Sequence, residues 1–101
     1  MIVPLGHALA LAAALFSLGA ACVALRRNLF LVLVGVEVMV NAAGLAFVAG
    51  SLHWGRLDGQ AFTLFLVAVA AAEAAVGLAI LAYGRRAEGS VDSERYSALR
   101  D

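Results

Sequence analysis

The chain has 101 residues, of which 64% are hydrophobic and 14% are charged, and its mean hydropathy is +0.98. Soluble domains are about half apolar and a quarter charged, so this composition indicates a membrane protein. The net charge is zero and the sequence has no basic cluster, which excludes nucleic acid as a partner bound through its phosphates. The single cysteine, Cys22, excludes an internal disulfide framework and any site built from several cysteines.

Three apolar runs follow one another along the chain, at residues 4–25, 29–52 and 61–83. Each run exceeds the roughly 20 helical residues that cross the hydrocarbon of a bilayer, and none alternates as a barrel strand does. Because backbone groups in lipid must bond within their own segment or close into a barrel, the sequence predicts an all-α membrane protein with three transmembrane helices. We expect the transmembrane domain to cover residues 1–86 and a cytoplasmic tail to cover residues 87–101.

The arginines predict the orientation in the membrane. Arginine pairs follow the first and third spans, at 26–27 and 85–86, whereas the loop at 51–60 carries one arginine and one aspartate. Cytoplasmic loops carry an excess of positive charge. The N-terminus is therefore predicted to lie outside and the C-terminus in the cytoplasm, with Trp54 of the outer loop as an interfacial anchor.

A cleaved signal peptide ending near Cys22 is an alternative for the first span. Signal peptides open with positive charge, but no charged residue precedes Arg26. The apolar run is also longer than the usual stretch of about 7 to 15 residues. Both features favour a transmembrane helix.

Two acidic residues lie inside the predicted spans, Glu37 in the second and Glu73 in the third. An ionisable group at the bilayer centre costs on the order of 3 kcal/mol, so it usually faces a bundle interior and marks an ion path. The helix rise places Glu37 roughly 13 Å and Glu73 roughly 16 Å from the cytoplasmic ends of their helices. The two carboxyls are therefore expected at nearly the same depth, close to mid-membrane.

The neighbours of the two acids suit proton exchange. Asn41 follows Glu37 by one helical turn and offers a hydrogen-bonding group on the same face. Ala70 and Gly77 flank Glu73 and allow another helix to approach closely. We expect the acids to lie on a proton path with Asn41 in support. The alternative is a pair of protonated glutamates that only hold helices together, but no lysine or arginine within a span neutralises either acid.

The other polar residues give weaker signals. His7 and His53 are expected to be interfacial or packing residues, since neither lies at metal-ligand spacing from a cysteine or an acid, and we predict no metal site. Arg26 and Arg27 are topology signals that could also supply charge to an ion path, and the residues alone leave both roles open. Ser17 and Thr63 have no base near them in the sequence, so we expect no catalytic site on this chain alone.

Four motifs carry a resemblance to a known family: RRNL at 26–29, GVEVMVNA at 35–42, DGQ at 58–60 and AAAEAAVGL at 70–78. In this order and spacing they resemble the K subunit of proton-pumping NADH:quinone oxidoreductase, respiratory complex I. The resemblance covers nearly the whole chain.

The resemblance implies a membrane-arm subunit that couples electron transfer from NADH to quinone with proton translocation. Glu37 and Glu73 would line a hydrophilic axis through that arm, and Arg26 and Arg27 would support coupling. The family's K subunit binds no flavin, iron–sulfur cluster, NADH or quinone, which belong to other subunits of the complex. Its implied neighbours are the J, A and H subunits and an antiporter-like N subunit, in the plasma (inner) membrane of a bacterium.

Four other classes of function predict different sequence features. A subunit of a cation/proton antiporter would have a proline-rich outer loop, but residues 52–60 contain no proline. A small multidrug exporter would have four spans with an acid in the first, and a rotor-ring subunit of ATP synthase would have two spans and one acid. A purely structural assembly protein stays open, and it predicts that neutralising both glutamates leaves activity intact.

Overall fold

The structure, a computed structural model, describes residues 2–88 and residue 92. Three α-helices contain most of them: α1 is Leu5–Leu25, α2 is Leu29–Trp54 and α3 is Asp58–Glu88. All three are long and apolar enough to cross a membrane, and the described residues form no β-strand. The predicted all-α architecture with three membrane-spanning helices is confirmed.

The turn between α2 and α3 is shorter than the loop that the sequence predicts at 51–60. It comprises residues 55–57 only, because α2 continues to Trp54 and α3 begins at Asp58. Polar side chains do not require a loop here, since the last turns of a membrane helix reach the headgroup region, where aromatic and polar groups are accommodated. Composition marks where a helix leaves the hydrocarbon, and the helix itself extends beyond that point.

The same effect lengthens α3 at its other end, where the helix runs to Glu88 instead of stopping near residue 83. Arginine and glutamate are good helix formers, so the helix persists after the apolar run ends. Of the predicted tail at 87–101, residues 87, 88 and 92 are described, and the rest of that prediction lies outside the described residues.

Both ends of α2 have recognisable caps. The Asn28 side chain accepts hydrogen bonds from the backbone N–H groups of Phe30, at 2.9 Å, and Leu31, at 3.4 Å. These are donors that the first turn of a helix leaves without an intrahelical partner. At the other end, Gly55 has a φ of 64°, in the left-handed region where glycine is favoured, and it terminates the helix. Asn28 and Gly55 therefore define the two ends of α2.

The helix α2 lies between α1 and α3 and packs against both. The closest approach to α1 is at two glycines: a methyl group built on Gly19 would lie 2.6 Å from the carbonyl oxygen of Gly35. A methyl group on Gly35 would lie 2.8 Å from the carbonyl oxygen of Gly19. Small residues let helix backbones touch in a membrane, where packing replaces the hydrophobic effect as the driving force.

Two contacts fix the register of α3 against α2. The Thr63 hydroxyl lies 2.7 Å from the carbonyl oxygen of Gly59 in its own helix and 3.4 Å from that of Gly44 in α2. A methyl group on Gly77 would lie 3.0 Å from a Leu33 side-chain carbon. The two helices are therefore antiparallel neighbours along most of their length, from Gly44 and Thr63 to Leu33 and Gly77.

Large apolar side chains remain exposed on the outer faces of this arrangement. Leu64, Phe65 and Tyr83 of α3 are each more than 70% exposed, and only small residues are buried between the helices. A surface of this kind faces lipid or other membrane proteins.

Candidate functional site

The first acid, Glu37, lies in the central part of α2 on the side that faces α3. It follows Leu33 by one turn and precedes Gly44 by two turns, and these residues contact Gly77 and Thr63 of α3. Its side chain is half-buried. Its Oε1 atom is fully buried and has no hydrogen-bond partner among the described residues.

The burial of Glu37 Oε1 without a hydrogen bond is unfavourable in free energy, and the penalty is larger for a charged carboxyl group than for a neutral one. A buried polar atom without a hydrogen bond costs about 1–3 kcal/mol, and an unpaired buried charge costs more. The carboxyl group is therefore best accommodated beside a hydrogen-bond donor, which the described part of this chain does not supply to Oε1.

The second acid, Glu73, lies at nearly the same depth on α3. The contacts of Gly44 with Thr63 and of Leu33 with Gly77 place the level of Glu37 opposite residues 70–73 of α3. The depth worked out from the helix rise agrees with this register. The structure thus brings the two acids to one level of the membrane.

The two acids do not, however, face each other directly. Glu73 is exposed, whereas the stripe of α3 that packs on α2 is half-buried and consists of Thr63, Leu66, Ala70, Ala74, Gly77 and Leu81. At about 100° per residue, Glu73 lies roughly 60° from the centre of this stripe, so it is at the edge of the face that packs on α2. Its carboxyl group therefore projects beside the contact between the helices, where another protein chain could reach it.

A cavity of about 310 Å³ lies between α2 and α3, displaced from Glu37 toward the C-terminal end of α2. Its walls are mostly apolar, and the polar side chains among them are Asn41 and Thr63. Asn41 is exposed and lies one turn beyond Glu37, as the sequence predicts, but it makes no hydrogen bond to Glu37 Oε1. A hydrogen-bonded link between Asn41 and Glu37 Oε1 would need rotation of a side chain or a bridging group between them.

The predicted pair Arg26 and Arg27 occupies the short connection between α1 and α2, and both residues are exposed. Arg27 Nη2 lies 3.0 Å from Asp92 Oδ2, and the backbones of Asn28 and Asp92 form an isolated antiparallel bridge. Asp92 is a residue that the sequence analysis missed. No local pattern could have revealed this contact, because 65 positions separate the two partners.

A second ion pair lies at the opposite end of the molecule, where Arg56 Nη2 is 2.6 Å from Asp58 Oδ2. The hydrogen bond from Arg56 to Asp58 and the charge of that carboxylate raise the pKa of Arg56 above its ordinary value. Both side chains are largely exposed. This pair belongs to the turn between α2 and α3 and is remote from the two glutamates.

The remaining polar residues of the described chain form no cluster of metal ligands. Among the described residues, no three histidine, cysteine or acidic side chains come close enough together to hold a metal ion. The Cys22 thiol donates a hydrogen bond to the carbonyl oxygen of Leu31 at 3.2 Å, and the His53 ring packs edge-on against Trp54. The chemistry available within the described chain is that of the two intramembrane carboxyl groups.

The sequence of the chain matches a family of known proteins. The sequence model of the family described as NADH-ubiquinone/plastoquinone oxidoreductase chain 4L matches residues 7–101. The chain belongs to this family. It is 50% identical over 100 residues to NADH-quinone oxidoreductase subunit K 2 of Syntrophobacter fumaroxidans, an alignment that covers 99% of this chain and 88% of the relative.

Other relatives carry the same description. Identity to NADH-quinone oxidoreductase subunit K of Solidesulfovibrio magneticus is 50% over 99 residues, covering 98% of this chain and 96% of that protein. Identity to subunit K of Syntrophotalea carbinolica is 48% over 100 residues, covering 99% of both chains. Together with the three membrane-spanning helices, these similarities identify a multi-pass membrane protein of the subunit K family.

Proposed function

We propose that this chain is a membrane-arm subunit of a proton-translocating NADH:quinone oxidoreductase and contributes Glu37 and Glu73 to the proton path. In this proposal the chain carries no redox centre. Flavin, iron–sulfur clusters, NADH and quinone are bound by other subunits, and the free energy of electron transfer reaches this chain as changes in the surroundings of its two carboxyl groups.

The observation that carries the proposal is the position of Glu37 Oε1, which is buried near mid-membrane without a hydrogen-bond partner among the described residues. A carboxyl group whose only function is to join helices would be expected to form hydrogen bonds to a neighbouring helix. The α2–α3 contact supplies no such partner to Oε1. This favours a group that exchanges protons over one that acts only as interhelical glue.

The position of Glu73 supports the same proposal. It lies at the level of Glu37 but projects from the side of α3, where it is exposed. An intramembrane acid is not stable against acyl chains and usually faces a protein partner or a water-filled path. We propose that the partners are the other membrane-arm subunits, of the J, A, H and antiporter-like N types, and that Glu73 continues the path from Glu37 toward one of them.

The proposed orientation places the N-terminus outside and the C-terminus in the cytoplasm of a bacterial plasma (inner) membrane. The connection between α1 and α2 and the last turn of α3 each carry two arginines, whereas the turn between α2 and α3 carries Arg56 paired with Asp58. This asymmetry favours a cytoplasmic location for the arginine pairs. Arg26 and Arg27 then lie at the cytoplasmic end of the helix that carries Glu37, where they would support coupling.

The test replaces Glu37 by glutamine, which keeps the shape of the side chain but cannot change its protonation state. We expect the Glu37→Gln complex to assemble normally on a native gel and to oxidise NADH normally with an artificial acceptor that bypasses the membrane arm. Quinone-linked NADH oxidation and proton translocation should fall by at least about tenfold, because positioned proton transfer typically contributes a factor of 10² or more. Glu37→Asp should retain part of the activity.

The matched control is Asp58→Asn, which removes an exposed carboxylate at the membrane surface and should leave quinone-linked activity unchanged. Normal quinone-linked turnover and pumping in an assembled Glu37→Gln, Glu73→Gln double variant would overturn the proton-path proposal and leave the structural one.

A further inference from the structure

The contact between Arg27 and Asp92 joins the region after α3 to the connection that precedes α2. Asp92 lies four residues beyond the last residue of α3, and it contacts this connection twice, through the 3.0 Å ion pair and through the backbone bridge to Asn28. Asn28 is the residue whose side chain caps α2. Asp92 therefore contacts Arg27 and Asn28, the two residues that directly precede α2, and α2 carries Glu37.

The ion pair is too exposed to matter much for stability. The Arg27 side chain is 61% exposed and the Asp92 side chain is 38% exposed, and ion pairs in such surroundings stabilise proteins little. Its effect is expected on the position and the charge of Arg27. Arg26 and Arg27 are adjacent like charges, and a carboxylate held beside one of them offsets that charge and selects among its side-chain conformations.

We propose that Asp92 is a positioning residue that holds the Arg27 guanidinium at the cytoplasmic entrance to α2. The charge of Arg27 acts on Glu37 over about 12 Å of helix, slightly more than two turns from Leu29, through a medium of low dielectric constant. Asp92 then determines how strong the electrostatic potential of Arg27 is at Glu37. This inference rests on the proposed function, in which Arg27 supports coupling, and it assigns the control of Arg27 to a residue outside the three helices.

The first experiment tests the geometry without reference to activity. Directly opposed residues of an antiparallel bridge have Cα atoms about 4.5–5.5 Å apart, within the range of about 4.4–6.8 Å that a disulfide spans. In a Cys22→Ala background, the pair Asn28→Cys and Asp92→Cys should form an intramolecular disulfide when membranes containing the whole complex are treated with an oxidant. The control pair Leu57→Cys and Asp92→Cys, with one cysteine at the opposite turn, should not. Failure of the first pair to cross-link would overturn the proposal.

The second experiment tests the consequence for Arg27. Asp92→Asn should lower quinone-linked NADH oxidation about two- to fivefold, the range expected for loss of a partly exposed ion pair, while assembly and oxidation with the artificial acceptor stay normal. Asp92→Glu should restore most of the rate. The exchanged pair Arg27→Asp with Asp92→Arg should stay as inactive as Arg27→Asp alone, because it keeps an ion pair but removes the guanidinium from the start of α2, whereas a merely structural role for the pair predicts recovery.

Salt gives an independent signature, because added ions screen an exposed pair. The quinone-linked rate of the unchanged complex should decline as ionic strength rises, and that of Asp92→Asn should decline less. A reduced amount of assembled complex in Asp92→Asn, with a normal rate per complex, would show a structural role and overturn the proposal.

Failure of this inference is distinguishable from failure of the proposed function. If Arg27→Ala lowers the quinone-linked rate and Asp92→Asn does not, the role of Arg27 stands and that of Asp92 is refuted. If the assembled Arg27→Ala complex keeps a normal rate, the supporting role of Arg27 fails, and the positioning role of Asp92 fails with it.

Discussion

The close approach of α1 and α2 at Gly19 predicts a destabilising effect for a single added methyl group. In Gly19→Ala the new carbon would lie 2.6 Å from the Gly35 carbonyl oxygen, 2.7 Å from Met39 Cγ and 3.1 Å from the Met39 backbone nitrogen. Rotation of the methionine side chain relieves only the second of these contacts. The helices must therefore separate by several tenths of an ångström, and overpacking of this kind costs about 1–3 kcal/mol.

That cost should appear in the assembled complex. We expect Gly19→Ala to lower the amount of assembled complex and the temperature at which it dissociates, both measured on native gels after heating solubilised membranes. Because Glu37 lies two residues beyond Gly35, a shift of α2 at the crossing also moves the acid. The complexes that do assemble should therefore have a lower quinone-linked rate but normal oxidation of NADH with an artificial acceptor.

The matched control is Gly50→Ala, at a helical glycine where an added methyl group meets no atom within 4 Å apart from its own helix backbone and chain neighbours. This substitution should be tolerated, since alanine is the better helix former. Equal stability of the Gly19→Ala and Gly50→Ala complexes would refute the reasoning, because it would mean that α1 and α2 do not touch at Gly19.

Two further predictions concern orientation and the second acid. In a Cys22→Ala background, Leu57→Cys should react with an impermeant thiol reagent added outside intact cells. Ala87→Cys should react only when the cells are permeabilised and the reagent reaches the cytoplasmic side of the membrane. The reverse pattern would contradict the proposed topology. Glu73→Gln should lower quinone-linked activity less than Glu37→Gln does, since the Glu73 side chain is exposed in this chain and its surroundings depend on a neighbour. A larger loss in Glu73→Gln, measured per assembled complex, would assign the main proton-transfer role to Glu73.

The sequence predicts the three helices well because crossing a membrane is a property of local composition. Each apolar run fixes its own helix, and the constant helix rise is enough to place Glu37 and Glu73 at one depth. The turn between α2 and α3 is predicted less well, because hydropathy follows the hydrocarbon boundary and the backbone stays helical beyond it. The left-handed Gly55 is what ends α2, and several glycines near it are equally plausible from the sequence.

Which faces pack together could not be predicted from the sequence. The helices are apolar nearly all round, so no hydrophobic period distinguishes a packed face from a lipid-facing one. Gly19 and Gly35 meet backbone, whereas Gly6 and Gly50 would accept a methyl group without a close contact, and composition alone does not separate the two kinds. The contact of Arg27 with Asp92 depends in the same way on the folded chain.

The arrangement of the helices leaves both acids incompletely surrounded by the described residues of this chain. Because α2 is flanked by α1 on one side and α3 on the other, three helices leave α3 covered along one stripe only. Glu73 lies outside that stripe, and Glu37 Oε1 lies within the contact but finds no donor among the described residues. In the proposed function, groups from neighbouring subunits complete the surroundings of both carboxyl groups. Control of the two acids from outside the chain is what the proposed coupling to a distant redox reaction requires.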